Sequence, residues 1–276
     1  MPASQPAPYV LGHSAQERER LQRQGAIYAE FTERVLMKAG VGPGQRVLDV
    51  GCGVGDVSLV AARLVGPTGA TLGLDNAPTA LADARSRLAA IGATWARFEQ
   101  RDLHAADAAQ AEAPFDALVG RFILLHLPDP VAALRALLPR LAPGARVAFI
   151  EIDLESLQVT PPLPEFDAAM GWIAEAYRRD GVEPNMGSRL FETFRAVGLE
   201  PRMEAMSNVE GGPHADAYDY LAETVRSLLP RIEALGVATS AQVDIDTLAQ
   251  RLRARCVEGG RCIFYPRMVG AWARLP

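Results

Sequence analysis

A chain of 276 residues that is 49% hydrophobic and carries a formal charge of −5 holds enough apolar material for a sizeable core, as one large domain or one domain with an elaboration. The acidic balance and the lack of a basic stripe interleaved with aromatics argue against nucleic acid as the main partner. No apolar run approaches the roughly 18 residues of a membrane span, and Met1 to Gln16 lacks the basic-then-apolar order of a secretory signal, so a cytoplasmic protein with no membrane partner is expected.

Residues 1 to 8 are rich in Pro and Ala and read as disordered, whereas Ser14-Ala15-Gln16-Glu17 has the form of a capping box opening a helix that carries Leu21, Ile27, Tyr28 and Phe31 toward a core. A second helical stretch, Phe31 to Ala39, ends in the breaker run Gly40-Val41-Gly42-Pro43-Gly44. From Arg46 to Val50 the chain is β-branched and apolar apart from Asp49, which suits a short strand buried on both faces of a parallel sheet. Gly51, Gly53 and Gly55 let the backbone turn tightly and approach a ligand without interference from a Cβ, and Asp56 to Leu64 has helical spacing up to a stop at Gly66-Pro67.

The alternation then repeats: a strand over Ala70 to Leu74, a helix over Ala77 to Ile91, and strands over Ala93 to Glu99 and Phe115 to Val119. A helix over Pro130 to Leu141 and a strand over Ala145 to Ile150 follow, with Pro143-Gly144 as the turn between them. Strands and helices at this spacing predict a doubly wound, Rossmann-like α/β sheet with right-handed crossovers. After Glu155 the pattern changes: Pro161, Pro162 and Pro164 mark a loop, helices fall near Glu165 to Arg178 and Gly187 to Val197, and a strand spans Glu200 to Val209. A mostly helical insertion from Ala215 to Arg255 precedes a final strand near Ile263 to Trp272. Arg251, Arg253 and Arg255 read as one solvated helix face. The organisation expected is a helical cap over residues 1–44, an α/β core over 45–155, and helices with the last strands of the same sheet over 156–276, all within a single domain.

The glycine run departs from the dinucleotide fingerprint, because the third glycine is replaced by Asp56, an acid that would repel a pyrophosphate at the helix start. No Gly-Lys-Ser/Thr follows to make a phosphate-cradling loop. What remains is a cofactor with a nucleoside but without phosphate. Ligands of open α/β sheets bind at the carboxyl ends of the strands, where this chain places Asp75, Asp102, Glu151 and Asp153. Asp75 lies about 20 residues beyond the loop, the separation at which a carboxylate takes the hydroxyls of a ribose. Asp102 stands where it can accept from an exocyclic amine, and for any one such acid capping the following helix is the competing reading.

Val47-Leu48-Asp49-Val50-Gly51-Cys52-Gly53-Val54-Gly55, Gly73-Leu74-Asp75, Arg101-Asp102-Leu103 and Leu141-Ala142-Pro143-Gly144 together resemble the successive motifs of class I S-adenosylmethionine-dependent methyltransferases, over roughly residues 30 to 155. The opening Leu11-Gly12-His13-Ser14 with Glu17, Leu21 and Gln24 is similar to the ubiquinone/menaquinone-type small-molecule subgroup. The resemblance implies a seven-stranded, mostly parallel sheet with an antiparallel last strand, helical insertions over the substrate, and S-adenosyl-L-methionine as cofactor. It puts Asp49 and Gly51 by the methionine part, Gly53 at a close approach, Asp75 on the ribose, Asn76 beside the adenine, and Asp102 with Leu103 at its edge. Gln24 and Tyr28 would close over the methionine end, and Gly120 and Arg121 would present a carbonyl and a substrate-facing side chain. The Asn-Pro-Pro-Tyr type of motif found in nucleic-acid amine methylases is absent there.

The reaction implied is methyl transfer to oxygen, nitrogen or carbon of a small acceptor such as a quinone, terpenoid or polyketide, by in-line displacement in which placement dominates. Where the acceptor needs a base, His126 is the best-placed candidate, against the reading of a histidine packed in a loop; His13, His104 and His214 are weaker ones. Glu151, Trp172, Arg189 and Tyr218 are candidates for contact with substrate, with Tyr177 and Met186 in the same covering region. Cys52, Cys256 and Cys262 show neither disulfide nor metal-ligand spacing, and no metal is expected. Two alternatives remain: a cofactor-binding regulatory or partner module without turnover, and a nicotinamide-dependent oxidoreductase, which Asp56 and the lack of a Tyr-x-x-x-Lys pair disfavour. Assembly as a homodimer is left open.

Overall fold

A computed structural model of the chain describes residues 15–101 and 114–276, the side chains of residues 15–19 and 22 excepted. The chain begins with one long helix, α1 (Ala15–Ala39), where the sequence predicts two. Gly25 lies within it despite the entropic cost of an interior glycine, because a Cβ at that position would meet the carboxylate of Asp56. Strands β1 (Arg46–Val50), β2 (Ala70–Asp75), β3 (Ala96–Gln100), β4 (Phe115–Arg121) and β5 (Leu141–Asp153) alternate with α2 (Asp56–Val65), α3 (Pro78–Ile91) and α4 (Pro130–Leu137). β5 is much longer than predicted: Pro143 and Gly144 lie inside it, and its pairing with β4 shifts register between Phe115 and Ala117.

The later part supplies β6 (Gln158–Thr160), α5 (Pro164–Arg179), α6 (Met186–Ala196), β7 (Arg202–Met206), β8 (Val209–Gly211), α7 (Ala217–Ala234), α8 (Ser240–Val243), α9 (Ile245–Glu258), β9 (Cys262–Phe264) and β10 (Arg267–Arg274). The main sheet has the order β3-β2-β1-β4-β5-β10-β7. Its first five strands are parallel, and β10 runs antiparallel to both β5 and β7, so the predicted architecture is present. Each of the two predicted late strands is instead a pair of strands: β7 and β10 join the main sheet, while β8 and β9 form a small second sheet with β6.

Alternation along the strands divides the core into two layers. Val47, Ala117, Val119 and Ala148 pack with Val57, Val60 and Val65 of α2, while Ile150 meets Tyr28, Phe31 and Val35 of α1. Leu48, Val50, Leu118, Val147 and Phe149 face the other way, toward α4, α5 and α6, with the Phe149 ring edge-on to Phe194. Strand order reverses between β1 and β4, and at such a switch point the two βα loops diverge and open a crevice above the carboxyl ends of the strands. Among the described residues no helix is long and apolar enough to cross a membrane.

Candidate active site

The first loop is built from its dihedral angles. Gly51, Gly53 and Gly55 have φ of 65°, 52° and 86°, a left-handed region that costs an L side chain about 1–2 kcal/mol. Asp75, the last residue of β2, fixes the loop from the side. One carboxylate oxygen accepts from the Gly53 N–H at 2.8 Å and the other from the Ala77 N–H at 2.9 Å, where α3 begins. Each oxygen keeps acceptor capacity, since a carboxylate offers about four lone-pair positions.

A cavity of about 220 Å³ opens above this loop. Toward β1 and β2 it is lined by Gly51 to Val54, Asp75 to Ala77, Ala80 and Arg101; toward β4 and β5 by Arg121 to Ile123, Leu125 to Leu127, Ile152 and Leu154. Tyr177 of α5, Tyr220 and Thr224 of α7, and Arg20, Leu21 and Gln24 of α1 complete it. An added Cβ at Gly53 would meet no protein atom within 4 Å, so the space against that backbone is open for a ligand to occupy.

The acid that replaces the third dinucleotide glycine is held between cations. Asp56 lies 2.9 Å from Arg121 and 2.7 Å from Arg87, and the other arm of the Arg121 guanidinium donates to Thr32 Oγ1 at 2.9 Å. This network, with Arg121 at only 6% side-chain exposure, ties α1 to the sheet. Removal of Asp56 would leave the Arg121 charge buried and uncompensated, at about 3–5 kcal/mol for such pairs. The charge of Asp56 is therefore balanced by the protein's own cations.

Of the sequence-predicted site residues, Gln24, Gly51, Gly53, Asp75, Asn76, Arg121 and His126 line the cavity. Asp102 and Leu103 lie outside the described residues, as do His13 and His104. Asp49 does not line the cavity: it is fully buried, faces α2, and accepts from Ser58 Oγ at 2.5 Å. Burial pushes its carboxyl up to about 7 against the pull of that hydrogen bond. Tyr28 packs against Phe122 in the core beneath α1, and burial, with the Tyr220 hydroxyl next, holds its phenol well above the ordinary value. At Gly120 a Cβ would strike Phe149 and Ile123, so that glycine serves packing.

The substrate candidates also fall elsewhere. Glu151 is fully buried on the face of β5 opposite Ile152. Trp172 packs against the core under α5, and Arg189 pairs on the surface with Glu183 and Glu192. Tyr218 is 1% exposed and donates to the Gly212 carbonyl, whereas Tyr220, two residues on, reaches the cavity and takes a 3.3 Å hydrogen bond from the Gln24 amide. Asp153 is spent on the protein itself, accepting from the Ser188 N–H and hydroxyl at 2.6 Å each and from Arg267 at 2.7 Å. Sequence reading missed Arg20, Tyr220 and Thr224; helical phase along α7 separates Tyr220 and Thr224, four apart, from Tyr218.

His126 ends a 3-10 turn, Leu124–His126, and lines the cavity. Burial first, and then the charge of Arg20, lower its pKa to about 4. The imidazole is neutral at physiological pH and a weak base.

A family model described as a methyltransferase domain matches residues 42–177, just under half of the chain. The chain is 35% identical over 114 residues to a 2-phytyl-1,4-naphtoquinone methyltransferase of Synechococcus elongatus, covering 40% of this chain and 47% of that one. It is 27% identical over 207 residues to the ubiquinone/menaquinone biosynthesis C-methyltransferase of Vibrio cholerae, covering 73% of this chain and 65% of that one. The alignments thus span from about half to just under two thirds of these relatives' lengths. Among solved structures, the YcgJ protein of Bacillus subtilis superposes with a TM-score of 0.58 at 17% identity, over 89% of this chain and 98% of that one. The [4+2]-cyclase SpnF superposes with a TM-score of 0.55 at 19% identity, over 90% and 80%. At such identities these two show a shared fold.

Proposed function

We propose that this chain is a class I S-adenosylmethionine-dependent methyltransferase, as its matches support, and that it transfers the methyl group of S-adenosyl-L-methionine to a small-molecule acceptor. The observation that carries the reading is the open space above Gly53 between the Asp75 carboxylate and the side chains of α1 and α7. Gly51 and Gly53 leave backbone room for the cofactor, Asp75 would take its ribose hydroxyls, and Asn76 would border its base. Bound there, the cofactor supplies a methyl group on a sulfonium, already activated for displacement.

The remaining work of the site is placement. Leu125, Ile152, Leu154 and Phe122 give the β4 and β5 side an apolar wall, which Gln24, Tyr220 and Thr224 interrupt with polar groups from above. Such a lining suits a ring-bearing, mostly apolar acceptor with few polar substituents, such as a quinone, terpenoid or polyketide, and the relatives named for quinone methylation support the quinone among these. His126, neutral and weakly basic, orients a hydroxyl of the acceptor better than it removes a proton. Free cysteines at 52, 256 and 262 support a reducing, cytoplasmic location.

Incubation with methyl-tritiated cofactor and a panel of reduced naphthoquinones, hydroxylated terpenoids and polyketides tests the reading. Label in an extractable product with wild type but not with Asp75→Ala is the expected result. Binding of S-adenosylhomocysteine with no labelled product from the panel or from a metabolite extract would instead mark a cofactor-binding module without turnover. Saturable NADH fluorescence would mark an oxidoreductase.

A further inference from the structure

Glu151 is an expensive residue where it stands. It is 0% exposed, one oxygen, Oε2, has no hydrogen-bond partner, and burial pushes the carboxyl up to about 8. An aliphatic side chain would pack at this register of β5 without that cost. What only an acceptor supplies is seen at Oε1, which takes the Ile123 N–H at 3.0 Å and the Leu124 N–H at 2.8 Å.

The backbone held in this way is strained. Phe122 has φ of 56°, in the left-handed region that a bulky aromatic seldom occupies, and its N–H is bonded to the Ile150 carbonyl at 3.0 Å. From there the turn contributes to both sides of the cavity. The Ile123 side chain lies over the glycine loop, with its Cδ1 2.5 Å from where a Cβ on Gly51 would be, and Leu125 and His126 line the wall beyond.

We propose that Glu151 is a positioning residue: its buried acceptor oxygen holds the strained Phe122–His126 turn in the place where Ile123 bounds the cofactor and His126 faces the acceptor. The inference rests on the function proposed above. The carboxyl touches neither ligand, since it points to the opposite face of the sheet from Ile152, and it acts through the two N–H groups. The Leu125 N–H also favours its charged form, alongside those of Leu124 and Ile123. A side-chain amide in the same place accepts the same bonds.

Glu151→Gln and Glu151→Leu separate positioning from general stability. The Ile123 δ1 methyl resonance, assigned with Ile123→Val, and the affinity for S-adenosylhomocysteine are measured well below the melting temperature of each protein. The Gln variant is expected to keep the wild-type methyl shift and an affinity within about twofold, while the Leu variant moves or broadens the Ile123 signal and weakens binding about tenfold, core methyls such as Ile173 staying put. A Leu variant with an unmoved Ile123 methyl and wild-type affinity overturns the proposal. So does a Gln variant that behaves like the Leu variant, because the carboxyl would then act through its charge or proton. Should wild type fail to bind S-adenosylhomocysteine, the proposed function falls, and the Ile123 methyl alone decides the role of Glu151.

Discussion

The two sides of the cavity are made in different ways. Toward β1 and β2 the site is backbone: a glycine loop, a strand-end carboxylate 22 residues from the N–H it binds, and the first residues of a helix. Toward β4 and β5 it is side chains gathered from distant segments, as the hydrogen-bonded pair Gln24 and Tyr220, 196 residues apart, shows. Dihedral restrictions specify the first side and tertiary packing the second. The proposed donor seat is therefore fixed by local rules, whereas the proposed acceptor wall is free to vary.

The largest expected effect breaks the first side. Asp75→Ala removes the bonds to Gly53 and Ala77 together with the proposed contacts to the ribose hydroxyls, so affinity for S-adenosylhomocysteine should fall about 100-fold or more by calorimetry, as the loss of two charge-assisted hydrogen bonds would give. Gly53→Val comes next, because it forces a β-branched residue to φ of 52° and fills the open space above the loop. A loss of about 30-fold in cofactor affinity with a lowered melting temperature is expected from the left-handed penalty and the steric clash combined. Tyr220→Phe addresses the other side and should raise the acceptor KM by about tenfold, from one lost hydrogen bond, with cofactor affinity within about twofold. Tyr218→Phe, whose hydroxyl points away from the cavity, should leave the acceptor KM unchanged in the same assay.

A smaller effect distinguishes the interior of the two sides by pH. In the folded chain Asp49 titrates at about 7 and Glu151 at about 8, both raised first of all by burial. Such a carboxyl holds its proton folded after the unfolded chain has lost it, so its contribution is fully present below about pH 4 and is lost as pH rises through 7 to 8. Asp49→Asn keeps an acceptor for Ser58 without the titration. Its melting temperature should gain on wild type by several degrees between pH 5 and 8, for a linkage on the order of 4 kcal/mol at most. His126, depressed to about 4, loses stability in the opposite direction below pH 6.5, and the comparison cancels it because both proteins carry it. The smallest effect is expected at Arg189→Ala and Trp172→Phe, which stand away from the cavity and should change labelled-methyl transfer by less than about twofold.

The same contrast governs what the sequence makes legible. The parallel strands, the glycine loop, Asp75 and the crevice follow from local hydrophobic pattern, turn chemistry and the carboxyl-end rule. The small sheet does not, because β6, β8 and β9 are three residues each, too short to show an alternation. Glu200 to Val209 reads as one strand although it feeds two sheets, and Ile263 to Trp272 is divided at Tyr265-Pro266, where the proline has no N–H to continue a ladder. Tyr218 and Tyr220 are indistinguishable by composition. Helical phase puts them on different faces of α7, and which face meets Gln24 is set by how α7 packs on α1, a property of the whole layer.

The central claim, a donor seat separable from the acceptor wall, is tested most directly by calorimetric titration of S-adenosylhomocysteine into wild type, Asp75→Ala and Tyr220→Phe. One saturable site in wild type, nearly abolished at Asp75→Ala and unchanged within about twofold at Tyr220→Phe, is the predicted result. Equal binding by wild type and Asp75→Ala, or no binding by wild type, would contradict it.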